Sequence, residues 1–163
     1  MSPIKEAVAP YLLLAKNIGM DLGVPYTLIL AIIYRESSGN QWATRFEPNY
    51  KYLYHPERFA IQTTLDTEIT HQKTSWSLMQ TMGVVAREHG FKEPLPSLCQ
   101  PAKAIYWGAS HLANLQQRWP HLHDTISAYN QGSPRRNEAG EYENQVYVDY
   151  VVKYMSTLIQ EGV

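Results

Sequence analysis

The segment from Pro25 to Asn40, PYTLILAIIYRESSGN, limits the possible folds of this chain more than any other. Leu28, Ile29, Ile32, Ile33 and Glu36 recur at three- and four-residue spacing, so they share one face of a helix whose first turn carries Pro25. Leu30 and Ala31 make the rest apolar too, and a helix of this kind must be buried on most sides. Arg35, Glu36, Ser37 and Ser38 then precede Gly39, which closes it. A carboxyl group on the apolar face at the last turn is unusual. Burial disfavours its ionised form, and the partial negative charge of a helix C-terminus does the same, so both raise its pKa. A carboxyl that keeps its proton near neutral pH is suited to act as a general acid. Arg35 points about 100° around the helix and need not pair with it. The segment alone also fits a glutamate that frays into solvent beside a capping loop.

The other elements are read from the same periodicity. Ser2-Pro3 starts a helix with serine as cap, Pro10 kinks or restarts it, and it runs to about Met20 and stops near Gly23. From Thr44 to Thr74 the pattern dissolves into irregular structure, with a short hairpin expected around Tyr50–Tyr54 and a helical turn or two between Leu65 and His71. Trp76 to His89 reads as a helix carrying Leu78, Met79, Met82, Val85 and Ala86 on one side, closed by Gly90. Pro101 opens a helix with Ala102, Ile105, Tyr106, Ala109, Leu112 and Ala113 facing inward, ended by Trp119-Pro120. A shorter helix spans about His123 to Asn130. The last runs from about Asn144 to Gln160, with Val148, Val151, Val152, Met155, Leu158 and Ile159 as its stripe. The expected fold is mainly α, a helical globule with an irregular or short-β lobe between its second and third main helices.

The 163 residues, 44% of them hydrophobic, suffice for one domain with a real core, taken as residues 1–163. A net charge of -1 leaves no electrostatic footprint for nucleic acid, and the Arg135-Arg136 doublet sits in a Pro/Gly-rich turn. A single cysteine, Cys99, excludes an internal disulfide and points to a reducing site of synthesis. The N-terminus lacks a basic start, and its apolar run from Tyr11 to Ala15 is too short for a signal or a membrane span. Synthesis in the cytoplasm without a signal peptide, and no membrane insertion, are therefore expected. Six histidines include the His121/His123 pair, but no H-E-x-x-H, paired Cys/His set, G-x-S-x-G or phosphate loop occurs, so no metal or cofactor is expected.

Four segments follow one another along the chain: ESSGN (36–40), SWSLMQTM (75–82), AYNQG (128–132) and YVDYV (147–151). Together they resemble the soluble lytic transglycosylases and goose-type lysozymes, whose marks are an E-S motif, S-x-G-L-M-Q, A-Y-N-x-G and a Y-V-x-x-V helix. The resemblance runs from about residue 11 to 158. It implies a lysozyme-like fold acting on the β-1,4 bond between N-acetylmuramic acid and N-acetylglucosamine in peptidoglycan glycan strands. The glutamate matching Glu36 would protonate the leaving oxygen, then act as base on the muramic C6 hydroxyl and close a 1,6-anhydro ring without water. Only one carboxylate is essential to that scheme, because the substrate's own N-acetyl group can stabilise the oxocarbenium-like state.

On the same resemblance Gln80, on the first turns of the third helix, contacts sugar near the cleavage point. Ser75 orients the glutamate or a sugar, or else caps the helix. Tyr129 and Asn130 lie near the catalytic residue, where the amide holds an acetamido group. Tyr147 of the final helix approaches Glu36, unless it is simply a half-buried core tyrosine. The family's glycine in S-x-G-L-M-Q is Ser77 here, which a helix N-terminus would tolerate. The segment between Asn40 and Trp76 is longer than the family's usual connection. Within it Glu47 is either a second carboxylate, which an inverting hydrolase would need, or a loop residue paired with Arg45 or Arg58. The alternatives to a transglycosylase are thus a hydrolytic muramidase and an inert glycan-binding module. A monomer is expected, delivered to the wall by phage lysis, a virion or a secretion machine.

Overall fold

The computed structural model describes residues 1–163. Ser2 caps α1 (Pro3–Val8) by accepting from the Lys5 N–H, as its position before proline predicts. A 3-10 turn at Ala9–Tyr11 contains Pro10 and leads into α2 (Leu12–Leu22), which stops where Gly23 turns left-handed. The apolar segment forms α3 (Tyr26–Ser37), with Pro25 in the N-cap position and Ser38, rather than Gly39, as the left-handed C-cap. Leu28 to Ile33 are all fully buried. Each large aliphatic side chain so buried contributes roughly 1.5–3 kcal/mol, which makes α3 the centre of the core. It packs against α2 and against α9 (Gln145–Gln160), which Asn144 precedes as N-cap.

The end of α3 is fixed in place. Gly39 has φ of 80°, and a Cβ there would lie 2.4 Å from the Ala7 carbonyl oxygen. Its own carbonyl accepts from the Tyr11 hydroxyl at 2.8 Å. A left-handed backbone and this close approach leave room only for glycine.

The expected lobe between α3 and the later helices is present, but its strands are not the ones the sequence suggested. β1 (Thr44–Phe46), β2 (Thr74–Trp76) and β3 (Thr81–Met82) form an antiparallel sheet in that order, with Arg45 opposite Ser75 and Ser75 opposite Met82. No hairpin forms at Tyr50–Tyr54, where the chain is irregular. α4 (Pro56–Phe59) and α5 (Leu65–Gln72) lie between β1 and β2, and α5 covers the helical turns expected there.

The expected helix over Trp76–His89 is a correction of substance. Only α6 (Gly83–Glu88) is helical; the motif residues Ser77 to Gln80 form a tight turn between β2 and β3. Leu78 and Met79 enter the main core from that turn and are fully buried. Their apolar spacing imitates a helix because the turn is anchored in the core.

α7 (Pro101–Arg118) and α8 (Leu122–Gln131) match their expected spans closely. The inward stripe of α7 is Ala104, Ile105, Gly108, Ala109, Leu112 and Leu115; Ala102 and Tyr106 are exposed. On α9 the buried side chains are Tyr147, Val148, Val151 and Leu158, while Ile159 is exposed. A second, smaller apolar cluster of Trp76, Ala86, Phe91, Leu95, Leu98 and Cys99 lies under the sheet lobe. No helix is long and apolar enough to cross a membrane.

Candidate active site

A cleft of about 1030 Å³ runs between the helical body and the sheet lobe. The end of α3 supplies Glu36, the β2–β3 region supplies Ser75, Gln80 and Thr81, and α8 supplies Tyr129 and Asn130. The loop after β1 contributes Glu47, Tyr50 and Tyr52 from the other side. Of the candidate site residues, Glu36, Glu47, Ser75, Gln80, Tyr129 and Asn130 line this cleft and Tyr147 does not. It stands behind Glu36, nearly buried, rather than on the substrate side.

Tyr147 donates its hydroxyl to Glu36 Oε1 at 2.5 Å. Oε2 has no hydrogen-bond partner in the protein, so one carboxyl oxygen is fixed and the other is left for a ligand. Burial pushes the Glu36 carboxyl above the ordinary carboxylate range. The Tyr147 hydrogen bond and the positive charges of Arg35 and Arg45 pull the other way but do not cancel the rise. Arg35 does not pair with Glu36; its guanidinium lies over the rings of Tyr147 and Tyr150, 5.4 and 5.5 Å from their centroids. Tyr147 is itself held in the protonated, donor form, because burial and the adjacent Glu36 charge raise its pKa far above the usual tyrosine value.

The turn from Ser77 to Gln80 is what brings the amide to the cleft. Ser77 and Gln80 both have positive φ, 63° and 48°. The family's glycine at position 77 therefore has a backbone reason, and the expectation that serine sits comfortably in a helix N-terminus is wrong. Serine at such a φ costs on the order of 1 kcal/mol. Two hydrogen bonds offset this: the Ser77 N–H donates to the Ala43 carbonyl at 2.7 Å, and Ser77 Oγ donates to the Gln41 carbonyl at 2.8 Å. Gln80 Nε2 donates to the Ala43 and Ser77 carbonyls at 3.0 and 2.9 Å. Its Oε1 is left without a protein partner.

Ser75 is in strand β2, not at a helix start, so the N-cap alternative falls away. Ser37 Oγ donates to the Leu78 carbonyl at 2.8 Å and ties the end of α3 to the same turn. Tyr129 donates to the Met79 carbonyl at 2.7 Å, closing the turn from the α8 side. Asn130 Oδ1 accepts from Asn144 Nδ2 at 2.9 Å, which leaves the Asn130 amide N–H groups for the cleft. Glu47 pairs with Arg45, the partner expected if it is a loop residue.

Sequence reading missed the wall formed by His89 of the α6 C-cap, His111 and Asn114 of α7, and Glu88. None belongs to a motif, and only the packing of α6 beside α7 brings them together.

A helical body, a small antiparallel lobe and a carboxyl at the cleft between them define a lysozyme-like protein. The model of the transglycosylase SLT domain matches residues 14–149, and the chain belongs to that family. Members of the family are lytic transglycosylases acting on peptidoglycan. No curated protein matches the chain in a sequence comparison.

The Tyr147 hydrogen bond makes a prediction. It favours the ionised form of Glu36, so Tyr147→Phe raises the Glu36 pKa further. If activity requires protonated Glu36, the alkaline limb of kcat/KM moves to higher pH in that variant. A limb that stays in place or moves down would show that the hydroxyl does not control this proton.

Proposed function

We propose that the protein cleaves the β-1,4 bond between N-acetylmuramic acid and N-acetylglucosamine without water, with Glu36 as the sole acid and base. One observation carries this reading: a buried carboxyl at the cleft whose pKa burial raises, with one oxygen fixed by Tyr147 and the other unengaged.

In the first step Glu36 gives its proton to the glycosidic oxygen as the bond to the muramic C1 breaks. N-acetylglucosamine leaves as the alcohol, and positive charge develops at C1, where the substrate's own acetamido oxygen can stabilise it. Glu36 is now a carboxylate in a site that disfavours its charge, which makes it a competent base. It takes the proton of the muramic C6 hydroxyl while that oxygen bonds to C1. The 1,6-anhydro ring closes and Glu36 is again protonated. No other carboxylate takes part, and the engagement of Glu47 by Arg45 supports a single-carboxylate scheme over the muramidase alternative. The free Oε1 of Gln80 and the amide N–H groups of Asn130 are the groups we assign to holding the sugars.

The products decide between these schemes. Mass spectrometry of fragments released from purified walls is expected to find glycan ends one water lighter than reducing ends. Reducing ends alone would assign the protein to the muramidases. Release of nothing, with glycan binding retained, would make it an inert module.

A further inference from the structure

Arg35 is an unmatched cation next to the carboxyl that the chemistry needs. Its side chain forms no ion pair and no hydrogen bond within the protein. Its guanidinium instead lies over two rings of α9, 5.4 Å from the Tyr147 centroid and 5.5 Å from that of Tyr150. These tyrosines are three residues apart and so are neighbours on one face of the helix. The seam continues along α9: Tyr150 packs on Tyr154 with centroids 5.8 Å apart, and Tyr154 meets Tyr34 of α3 edge-on at 4.9 Å. Tyr34 and Arg35 thus grip one aromatic row, while the next residue of α3, Glu36, receives the Tyr147 hydroxyl.

We propose that Arg35 is a positioning residue, which acts through the Tyr147 ring to hold its hydroxyl on Glu36 and strengthen that donation. This rests on the acid and base role of Glu36 proposed above.

A guanidinium paired directly with Glu36 would hold it ionised and remove the acid. Over the ring face it is attracted by the negative side of the ring quadrupole, which anchors Tyr147 against rotation. Its charge also makes the phenol a better donor, which favours the Glu36 carboxylate formed in the first step. The effect of burial on Glu36 is thereby reduced and not cancelled. Other charges around the pair are few. Arg45 of β1 acts on Glu36 but is engaged by Glu47. Tyr129 of α8, which neighbours both Glu36 and Tyr147, is kept neutral by burial.

The ionisation midpoint of Glu36, followed by carboxyl NMR without substrate, tests this. Arg35→Leu is expected to raise it by about half a pH unit. In the Tyr147→Phe background, which keeps the ring and lacks the hydroxyl, the same replacement should move it by less than about 0.2 of a pH unit. Arg35→Lys, which can keep a cation over the rings, should restore most of the parent's midpoint. An unmoved midpoint in Arg35→Leu, with or without a lower melting temperature, would overturn the proposal. So would an equal rise in both backgrounds, which would mean that the charge acts on Glu36 directly through space. On purified walls the alkaline limb of kcat/KM should rise with the midpoint. A limb that stays while the midpoint moves would count against Glu36 as the acid, and so against the cleavage reading. An unmoved midpoint in an enzyme that cuts walls would sink this inference alone.

Discussion

Glu36→Gln is expected to slow clearing of purified cell walls by about 10²–10⁴-fold and, at neutral pH, to raise the melting temperature. The two effects have one cause. The amide cannot supply a proton, yet its oxygen can still accept from Tyr147, so the local geometry is retained. The sign of the stability change follows from the raised pKa. Glu36 sheds its proton in the folded state at higher pH than in the unfolded chain, where it behaves as an ordinary glutamate. Its contribution to stability is therefore complete below the unfolded value and is lost as pH rises through the folded one. The glutamine variant escapes that loss. The difference in melting temperature should be near zero at about pH 4 and grow toward neutral pH. Full activity in the variant would remove Glu36 from the chemistry. A variant less stable than wild type at neutral pH would mean that the carboxyl is held in its charged form.

The largest expected effect on folding lies away from the chemistry. Glu68 of α5 and Arg87 of α6 form a bidentate ion pair, 2.9 Å at both contacts, with each side chain only 2% exposed. Arg87 also donates to the carbonyls of Phe91 and Glu93, and lies over the Phe59 ring at 4.3 Å from its centroid. Gln72 donates to Glu68 Oε1 and exchanges two hydrogen bonds with the Tyr54 backbone. This network joins α4, α5, α6 and the irregular loop into one unit beneath the lobe wall. Glu68→Ala strands a buried guanidinium and should cost about 3–5 kcal/mol in urea unfolding. Glu68→Leu combined with Arg87→Met removes both charges and should recover much of that loss. If the double replacement is as unstable as the single one, the pair is not the source of the penalty. A single replacement costing under about 1 kcal/mol would show that the pair is open to water.

The helices with a wide apolar face could be read from the sequence because burial imposes their period directly. α3, α8 and α9 lie within a residue or two of expectation, and Glu36 could be singled out because it interrupts such a face. The S-x-S-L-M-Q segment could not be read this way. Its apolar residues are buried by a turn held through Ala43, Gln41 and Tyr129, partners far away in sequence, and the positive φ of Ser77 and Gln80 carries no hydropathy signal. The one available clue was the family's glycine at position 77, which marks left-handed backbone. The Glu68–Gln72 spacing suggests an intrahelical pair, but Arg87 comes from another element and only the tertiary fold reveals it. For the same reason the His89–His111 wall was invisible: His89 caps α6, His111 sits on α7, and neither belongs to a motif.

The central claim concerns one proton, and it can be observed without substrate. Protein carrying ¹³C at glutamate carboxyl carbons can be titrated by NMR, with Glu36→Gln identifying the resonance. The Glu36 signal is predicted to titrate clearly above the ordinary glutamate value, and above it further in Tyr147→Phe. A midpoint at or below that ordinary value would contradict the account.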